Sequence, residues 1–500
     1  MKNILEFLEA NAKRFPSKTA FVDEREELTW GDLLDASKRI GSALSSLRVK
    51  NKPIAVYFDK SVKTLAAMFG IVYSGNFYVI IDSEMPTERI GKIFSTLEPE
   101  AIVTDSKYIE SAAELGVEKI FSFNDLIKTA VDDAALSLIR SAQIDTDPLY
   151  ALYTSGSTGM PKGAVINHRN VIAYSKWSSE TFGITSDTVF GNQTPFYFSM
   201  SVTDIYSTLR TGATLVIIPK QFFTFPIKLI EFLNEHKINT IYWVPSAMAI
   251  VANFKLFDFM KPEYLTTVLF AGEVMPTKQL NYWVNNLGDK LTYANLFGPT
   301  ETTDICTYYV VDRKFADDEP LPIGRHCDNC NVFIVNEKGE PAQKGEEGEL
   351  YARGSFLAAG YYNNPEKTAA AFVQNPLNKA YPEIVYKTGD LVKEAENGEI
   401  MYICRKDYQI KHMGYRIELG EIETAASAID GMQECACVYD EKNDKIVLFY
   451  SARRIKEDKI FEILSTKLTD YLMPNRLVKL STMPHNQNGK IDRKFLATQL

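Results

Sequence analysis

A loop rich in glycine and small hydroxyl residues is the most informative segment of the chain. It reads Tyr153-Thr-Ser-Gly-Ser-Thr-Gly-Met-Pro-Lys-Gly163 and follows a β-rich apolar run. Backbone N–H groups and hydroxyls in such a loop can surround phosphate oxygens, and Lys162 adds a positive charge. It is not a Walker A motif, because Lys162 is followed by Gly163 rather than by Ser or Thr. The loop predicts an anion site, with a flexible linker as the alternative.

Two later segments bring an aromatic ring and carboxylates. In Asn295-Leu-Phe-Gly-Pro-Thr-Glu-Thr-Thr303, Phe297 could lie against a base and Glu301 could hold a hard cation through oxygen. Tyr386-Lys-Thr-Gly-Asp390 ends in a carboxylate that could hold two ribose hydroxyls. Taken alone, the first segment could be a Gly-Pro turn, and the second signal is weak.

The elements that position these segments follow an alternating pattern. From about residue 50 to residue 305, short β-rich runs alternate with longer helical patterns such as Ile227–His236. This pattern is typical of βαβ units and a largely parallel sheet. The predicted strands are Pro53–Phe58, Tyr78–Ile81, Ala101–Thr104, Tyr150–Thr154, Thr214–Ile218, Thr240–Val244 and Thr266–Ala271.

The last third of the chain has a different pattern. Between about 320 and 400, brief runs punctuated by Gly and Pro indicate an antiparallel or distorted barrel region; they are Asn331–Asn336, Gly348–Ala352 and Glu399–Cys404. After Arg405 the pattern is α+β, with a helical face from Leu419 to Ile429, a hairpin of Cys435–Tyr439 with Lys445–Ser451, and a helix over Ile460–Leu472. We therefore predict an α/β fold with a large domain at 1–404 and a small α+β domain at 405–500, joined near Asp407.

Composition excludes several classes of protein. The 500 residues are 45% hydrophobic and 24% charged, with a formal net charge of −9, so neither a disordered chain nor non-specific nucleic-acid binding is expected. The N-terminal segment has the pattern of an amphipathic helix rather than of a signal peptide, and no long apolar run predicts membrane insertion. Six cysteines are too few for a disulfide framework, and the Cys327-x-x-Cys330 pair is expected to be ordinary reduced thiols. We expect a soluble cytoplasmic protein.

The three segments occur in order with three more: Arg405-Lys-Asp407, Gly414-Tyr-Arg-Ile-Glu-Leu-Gly-Glu-Ile-Glu423 and Asn488-Gly-Lys490. Together they resemble the core motifs of the adenylate-forming superfamily, from Leu28 to Lys494. The forms of the last two motifs are similar to amino-acid adenylation domains of non-ribosomal peptide synthetases. Among these, the chain looks most like the stand-alone D-alanine:carrier-protein ligase type. One departure is Leu357-Ala-Ala-Gly-Tyr361, where the family usually has Leu-Ala-Arg-Gly-Tyr; it lies outside the predicted catalytic residues.

The resemblance implies two half-reactions. A carboxylate attacks the α-phosphate of ATP, which gives an acyl-adenylate and pyrophosphate, and a pantetheine thiol then takes the acyl group and releases AMP. The implied catalytic residues are Lys490, Thr154, Lys162 and Glu301, the last as the Mg²⁺ ligand. The small domain is implied to rotate about Asp407 and to present the loop at Gly414 to the thiol. The implied ATP and AMP contacts are Thr154, Ser155, Gly156, Ser157, Thr158, Gly159, Lys162, Gly272, Glu273, Asn295, Phe297, Gly298, Thr300, Asp390, Arg405 and Lys490.

The resemblance also implies an acid-binding pocket. Its positions are Phe198, Ser199, Met200, Thr203, Tyr242, Leu269, Ala271, Leu296, Asp304 and Ile305, with Lys490. Members that activate α-amino acids have an aspartate where this chain has Ser199. A buried ammonium without a counter-charge is costly, so the sequence favours an acid that lacks an α-amine, with hydroxybenzoate-like aryl acids first. Asp304 could instead bind an amine on a β-carbon or further out.

Three alternatives stay open at this point. D-alanine remains possible if Ser199 and a backbone carbonyl suffice for its amine. The acyl acceptor could be free coenzyme A rather than a separate carrier protein with a phosphopantetheine arm, because both present the same thiol. A non-catalytic binding protein on the same fold is the third alternative, and Lys162, Glu301, Asp390, Arg405 and Lys490 argue against it.

Overall fold

A computed structural model describes residues 1–155, 160–406, 409–452, 454–485 and 491–500. The chain forms two compact units. The first contains Met1–Ser83, Leu97–Leu152 and Gly163–Cys404, and the second contains Glu84–Thr96, Tyr153–Lys162 and Arg405–Leu500. The second unit thus includes Glu84–Thr96 and Tyr153–Lys162, which the predicted boundary between residues 404 and 405 assigns to the large domain. The predicted boundary stays a prediction.

The strands are numbered in chain order. The first thirteen are β1 Thr19–Val22, β2 Glu27–Thr29, β3 Pro53–Phe58, β4 Phe77–Asp82, β5 Ala101–Thr104, β6 Ile120–Ser122, β7 Pro148–Thr154, β8 Lys162–Asn167, β9 Val189–Asn192, β10 Thr214–Ile217, β11 Thr240–Trp243, β12 Thr267–Phe270 and β13 Thr292–Phe297. The remainder are β14 Thr307–Val310, β15 Arg325–His326, β16 Cys330–Val335, β17 Glu347–Gly354, β18 Phe372–Gln374, β19 Ile384–Glu394, β20 Ile400–Arg405, β21 Gln409–His412, β22 Tyr415–Glu418, β23 Met432–Asp440, β24 Lys445–Ala452 and β25 Arg476–Lys479.

The α-helices are numbered in the same way. They are α1 Leu5–Arg14, α2 Trp30–Ser45, α3 Val62–Tyr73, α4 Thr87–Leu97, α5 Ile109–Ala113, α6 Phe123–Leu126, α7 Asp133–Ala142, α8 His168–Thr181, α9 Ser201–Thr211, α10 Pro226–Glu235, α11 Pro245–Asn253, α12 Thr277–Leu287, α13 Pro365–Ala371, α14 Leu419–Ser427, α15 Glu457–Ser465 and α16 Arg493–Ala497.

Two largely parallel sheets form the centre of the first unit. One has the strand order β15-β14-β13-β12-β11-β9-β10-β1-β2, and the other has the order β6-β5-β3-β4-β7-β8. Strands such as β3, β5, β11 and β12 are buried at every residue, which explains their continuous apolar runs. Consecutive parallel strands need crossover connections, and helices such as α3, α10 and α12 lie in them. The α/β expectation is confirmed.

The third sheet of the first unit corrects one detail of the prediction. It is antiparallel, with the order β16-β17-β19-β18 and with β20 paired to β19. The predicted short runs are therefore strands, but within the described ranges they form an open sheet and not a closed barrel. The edge strands β16 and β18 do not pair with one another, so the sheet does not close.

The second unit contains the predicted hairpin. Strands β23 and β24 pair antiparallel, β25 adds to β24 in parallel, and α14 lies between β22 and β23 in the chain. The predicted helix over Ile460–Leu472 ends early, since α15 stops at Ser465 and a short turn follows at Asp470–Leu472. Leu464, Leu468 and Leu472 are all buried, so the apolar four-residue spacing continues past the end of the helix.

No helix in the described part of the chain is both long enough and apolar enough to span a membrane.

Candidate active site

The predicted acid pocket lies in the first unit, at the carboxyl ends of neighbouring parallel strands. Tyr242 in β11 pairs with Leu269 in β12, and β12 pairs in turn with β13, which carries Leu296. Ligands of open α/β sheets bind at this edge. Phe198 and Ser199 are half-buried just before α9. The other described pocket positions are almost fully buried: Met200, Thr203, Tyr242, Leu269, Ala271, Leu296, Asp304 and Ile305.

Asp304 is the charged group of this pocket. Its Oδ2 accepts hydrogen bonds from the hydroxyls of Tyr174 (3.0 Å), Thr203 (3.0 Å) and Tyr242 (3.1 Å). Burial raises the pKa of Asp304 to about 6, while these hydroxyls and that of Ser199 oppose the rise by stabilising the carboxylate. With a pKa of about 6 the carboxylate is mainly charged at neutral pH, although Asp304 is only 1% exposed.

A strained turn places Asp304 in the pocket. Thr303 has φ +70° and ψ −54°, and the Asp304 N–H donates to the Thr302 carbonyl (2.8 Å). This is a γ-turn geometry that a β-branched residue seldom adopts. The Thr303 hydroxyl holds it by donating to the Phe356 carbonyl (2.7 Å). Nearby, Gly298 leaves no room for a side chain, since a Cβ would lie 2.4 Å from the Asp304 carbonyl oxygen.

The structure also reveals a polar cluster, buried at Asn192 and Asp204 and partly buried at Lys60, that the sequence analysis missed. Asp204 on α9 accepts a hydrogen bond from the Asn192 amide (2.7 Å), and Lys60 donates to the carbonyls of Asn192 (3.3 Å) and Gln193 (3.0 Å). Burial, with a smaller contribution from the charge of Asp304, raises the pKa of Asp204 to about 8. Burial lowers the pKa of Lys60 to about 7. Lys60 is more than 130 positions before Asn192 and Gln193 in the chain, so no local pattern could have indicated these contacts.

Glu301, the predicted Mg²⁺ ligand, is fully buried in the short turn Thr300–Thr302. Its Oε1 accepts a hydrogen bond from the Tyr361 hydroxyl (2.5 Å). Tyr361 belongs to Leu357–Tyr361, the segment that departs from the family pattern and that we expected to lie outside the catalytic residues. It nevertheless contacts Glu301, one of the predicted catalytic residues. A buried carboxylate oriented in this way fits Mg²⁺, which usually takes one or two carboxylates together with substrate phosphates. A complete cage is not available within the described residues, which contain no cluster of three or more acidic, His or Cys side chains suited to a metal.

Asn295 and Phe297, predicted to frame adenine, both lie on β13 and are buried. The Asn295 amide donates to the Pro322 carbonyl (2.8 Å), and the Phe297 ring lies 5.7 Å from the Tyr402 ring, centroid to centroid. These contacts fix both side chains at the carboxyl end of the strand. Gly298, Thr300 and Glu301 follow directly after this strand in the chain.

The other predicted nucleotide contacts of the first unit lie on two further elements. Gly272 and Glu273 follow β12, and Glu273 Oε2 accepts a hydrogen bond from the Ser246 N–H (2.8 Å). Asp390 lies on β19 of the antiparallel sheet and is 2% exposed, and its own N–H donates to the Thr388 hydroxyl (3.0 Å). Gly272 has φ +94°, which favours glycine at this turn.

The second unit contains the described part of the predicted phosphate loop. The Thr154 hydroxyl donates to the Lys162 carbonyl (3.5 Å). The Ser155 hydroxyl, predicted to bind phosphate, donates to the Arg416 carbonyl (2.6 Å) and accepts from the Glu418 N–H (3.3 Å). The beginning of the loop therefore contacts β22 of the Gly414 segment.

Gly414 forms the turn between β21 and β22, where Met413 has φ +51° and Gly414 has φ +81°. Two successive positive φ angles are typical of a tight hairpin turn. Arg405 is the last residue of β20. The remaining predicted residues lie outside the described residues; they are Gly156, Ser157, Thr158, Gly159, Asp407 and Lys490.

A buried ion pair of the second unit was also not predicted. Arg89 on α4 pairs with Glu421 on α14, and the two side chains are 3% and 5% exposed. Arg89 Nε and Glu421 Oε2 have no hydrogen-bond partner among the described residues. Glu421 lies within the Gly414–Glu423 motif, so this pair joins that motif to a helix more than 300 positions earlier in the chain.

Cys327 and Cys330 are both buried, and no disulfide joins them. Burial raises the pKa of both thiols well above the usual range, which disfavours the reactive thiolate. The structure assigns neither of them to the candidate active site.

Comparison with known proteins places the chain in a family. Residues 8–362 match the family described as AMP-binding enzyme. The D-alanine--D-alanyl carrier protein ligase of Lacticaseibacillus paracasei is 30% identical over 514 residues, which cover 100% of this chain and 99% of the relative.

Two solved structures show the same fold. A double mutant of o-succinylbenzoate CoA synthetase (MenE) from Bacillus subtilis has a TM-score of 0.85 at 20% identity and covers 100% of this chain and 98% of its own. The Vibrio cholerae adenylation domain AlmE, in complex with glycyl-adenosine-5'-phosphate, has a TM-score of 0.84 at 21% identity and covers 99% and 97%. The family match covers most of the chain and the ligase relative aligns over all of it, so the chain belongs to the AMP-binding enzyme family and is an AMP-forming ligase.

Proposed function

We propose that this enzyme activates a small carboxylic acid that lacks an α-amino group, and transfers it to the phosphopantetheine thiol of a separate carrier protein. The observation that carries the proposal is Ser199, a half-buried hydroxyl where α-amino-acid-activating members have an aspartate. An α-ammonium at this position would leave water without gaining a counter-charge, which costs roughly several kcal/mol. A ligase relative that acts on a carrier protein and aligns over the whole chain supports the choice of acceptor.

In the first half-reaction the carboxylate oxygen attacks the α-phosphorus of ATP, and the bond to the bridging oxygen breaks to release pyrophosphate. Thr154, Lys162 and the loop between them hold the β- and γ-phosphates, and Lys490 approaches the carboxylate and the bridging oxygen as a point charge. Glu301, oriented by the Tyr361 hydroxyl, would hold Mg²⁺, which when bound would neutralise phosphate charge. These roles are electrostatic and positional, as phosphate displacement demands.

In the second half-reaction a pantetheine thiolate attacks the acyl carbon, and AMP leaves with the electron pair of the acyl–phosphate bond. Rotation about Asp407 withdraws Lys490 and presents the Gly414 hairpin to the thiol. Asn295 and Phe297 hold adenine through both steps, and Asp390 and Arg405 hold the ribose.

Two classes of small acid lack an α-amino group and match the polar and apolar groups of the predicted pocket. Hydroxybenzoate-like aryl acids would lie against Met200, Leu269 and Leu296 and place a hydroxyl near Asp304. Short acids with an amine on the β-carbon or further out would place that amine near Asp304. D-alanine is the second candidate function, and the observation that favours it is the 30% identity to a D-alanine ligase over the full chain.

Acid-dependent exchange of pyrophosphate into ATP tests the first half-reaction. The panel contains benzoate, hydroxybenzoates, aminobenzoates, β-amino acids, D- and L-alanine and short fatty acids. We expect exchange with an acid that lacks an α-amine and little with either alanine. Strong exchange with D-alanine would instead identify a D-alanine ligase.

Transfer of the activated acid tests the acceptor. With the acid found above, product formation is compared between a holo-carrier protein, coenzyme A and free pantetheine. We expect faster acylation of the carrier protein than of coenzyme A. The reverse order would make the enzyme an acyl-CoA synthetase.

The negative net charge argues against non-specific binding to nucleic acid. The buried thiols Cys327 and Cys330, which are not joined as a disulfide, suit a reducing cytoplasm.

A further inference from the structure

The buried ion pair of the second unit carries a further inference. Arg89 on α4 donates to Glu421 on α14, and both side chains are almost fully buried. Burial disfavours the charge on Arg89, but the Tyr471 hydroxyl and the Glu421 carboxylate outweigh this effect and raise its pKa. Arg89 therefore has two partners in the part of the chain that follows Arg405.

Both partners of Arg89 adjoin the Gly414 hairpin. Glu421 lies on α14, which begins directly after β22, so a displacement of Glu421 would also displace that strand. The Tyr471 ring stacks on that of Tyr415, the residue after Gly414, with 3.9 Å between the ring centroids and 16° between the ring planes. Arg89 thus contacts two groups that support the hairpin.

The proposed rotation would separate Arg89 from these partners. In the chain α4 connects β4 to β5, and both strands belong to one sheet of the first unit, so the helix is tethered at both ends. Glu421 and Tyr471 follow Asp407, the proposed hinge, and would move with the small domain. The pair of Arg89 and Glu421 can therefore exist in only one of the two orientations.

A second set of contacts indicates which orientation this is. The Ser155 hydroxyl, at the beginning of the predicted phosphate loop, donates to the Arg416 carbonyl (2.6 Å) and accepts from the Glu418 N–H (3.3 Å). Arg416 and Glu418 both lie on β22. The Gly414 hairpin therefore lies against the beginning of the loop that we assign to phosphate, as the transfer step demands. The ion pair belongs to the orientation of the second half-reaction.

A buried ion pair suits a contact that must form and break in each turnover. Its net contribution to stability is small, because the attraction between the two charges is offset by the loss of their hydration. Loss of one partner, however, leaves a buried charge without its counter-charge, which is strongly unfavourable. Among the described residues, Arg89 Nε and Glu421 Oε2 have no hydrogen-bond partner, so the pair is not fully satisfied. The pair can therefore select the orientation without making it permanent.

We infer that Arg89 is a positioning residue for the second half-reaction. Through Glu421 and Tyr471 it holds the Gly414 hairpin in the orientation that transfers the acyl group. The inference rests on the proposed function, and in particular on the rotation about Asp407. It assigns Arg89 no contact with the reacting atoms.

Separate measurements of the two half-reactions test the inference, at a temperature below the melting temperature of every variant. Pyrophosphate exchange measures adenylate formation, with the acid of the panel above that exchanges best. Transfer is measured in a single turnover, in which the adenylate formed on the enzyme from that acid and ATP is mixed with free pantetheine. Pantetheine has the thiol arm but no carrier surface, so its rate reports the orientation of the hairpin and not the docking of a carrier.

The variant Arg89→Met separates a positioning role from a structural one. It should reduce the rate of transfer by about 100-fold, the scale of leaving one buried charge without its partner, and leave the rate of exchange unchanged. Lys92→Met is the matched control, because Lys92 lies one turn further along α4 and pairs with Glu88 of the same helix (3.1 Å). Both rates should stay unchanged in this control.

Two further variants address the pair itself. The double variant Arg89→Met/Glu421→Met removes both charges and should recover part of the lost transfer rate. If Arg89→Met does not fold, Glu421→Gln keeps the shape of the side chain and gives the same test, with the same expected loss of transfer alone.

The other outcomes overturn either the inference or the proposed function. Equal losses of exchange and transfer in Arg89→Met would make the pair structural and overturn the inference. A loss of exchange alone would assign the pair to the other orientation, and an unchanged transfer rate would show that the pair does not position the hairpin; both would overturn the inference. Absence of exchange with every acid in the wild type, or of transfer to pantetheine, would instead overturn the proposed function.

Discussion

At the scale of single residues, tyrosine and threonine hydroxyls hold the carboxylates of the candidate active site. Glu301 receives the hydroxyl of Tyr361, and Asp304 receives those of Tyr174, Thr203 and Tyr242. Neutral donors orient a carboxylate without cancelling its charge, so the charge stays available for a cation. Both carboxylates are therefore available to predicted cations, Glu301 to Mg²⁺ and Asp304 to an amine of the substrate.

Replacement of Tyr361 by Phe tests the first of these contacts. A lost hydrogen bond to a charged, buried group is worth about 1.5–3 kcal/mol, so Tyr361→Phe should raise the Mg²⁺ concentration for half-maximal exchange by about 10-fold or more. The ring stays, and with it the packing against Phe372. Tyr362→Phe, one residue further on, is the control. An unchanged Mg²⁺ dependence in Tyr361→Phe would count against Glu301 as the ligand.

His168 predicts a sensitivity of stability to acid. Burial lowers its pKa to about 3, while in the unfolded chain it binds a proton near its ordinary value of 6.5. Because the unfolded state takes up the proton first, the free energy of unfolding should fall as the pH drops from about 6.5 towards 3. His168→Gln should make this fall shallower, measured by urea unfolding at several pH values. Parallel pH profiles of the two proteins would refute this role.

At the scale of elements, the turn between β13 and β14 positions Asp304 in the predicted acid pocket. Thr303 adopts φ +70°, and the hydrogen bond from its hydroxyl to the Phe356 carbonyl offsets part of this backbone strain. Thr303→Ala keeps the strain and loses the bond, whereas Thr303→Gly loses the bond and relieves the strain. We therefore expect the Gly variant to melt at a higher temperature than the Ala variant. The opposite order would mean that the turn is not strained.

Gly298 lies at the start of the same turn, where a Cβ would lie 2.4 Å and 2.5 Å from backbone atoms of Asp304 and Ile305. Backbone cannot move aside as a side chain does, so Gly298→Ala should lower the melting temperature by several degrees and reduce exchange activity. Gly91→Ala is the matched control, because nothing lies within 4 Å of its Cβ position. In helix α4 that control should be neutral or stabilising by about 0.5–1 kcal/mol. Equal effects of the two substitutions would contradict the steric account.

The elements were more predictable than the site. Runs such as Pro53–Phe58 and Ala101–Thr104 match β3 and β5 at both ends, because strands buried on both faces read as uninterrupted apolar sequence. The helix predicted over Ile460–Leu472 was too long, because its leucine spacing continues into a turn that buries the same face.

Contacts between distant positions could not be predicted. The hydrogen bonds from Tyr361 to Glu301 and from Lys60 to the carbonyls of Asn192 and Gln193 depend on how the strands are ordered in the sheets. The chain pattern predicts the strands but not this order. The resemblance predicts the pocket positions, whereas the hydroxyls around Asp304 could be seen only in the coordinates.

At the scale of the whole molecule, the second unit combines three separate stretches of the chain. Within it, the buried pair of Arg89 and Glu421 links α4 to α14. Removal of one partner of a buried pair typically costs about 3–5 kcal/mol, whereas replacement of both by apolar residues can be nearly neutral.

Thermal unfolding of three variants tests this link. Arg89→Met and Glu421→Met should each lower the melting temperature strongly, and the double variant should recover part or all of the loss. Additive losses in the double variant would show that the two side chains do not depend on each other.

The central claim is that the pocket lacks a counter-charge for an α-amine because position 199 is serine. The most direct test is the ratio of kcat/KM for the best acid without an α-amine to that for D-alanine, in the wild type and in the variant Ser199→Asp. We predict a ratio well above one in the wild type and a fall of about 10-fold or more in the variant, because a carboxylate at position 199 would pair with the α-ammonium. A ratio that is the same in both proteins would contradict the account.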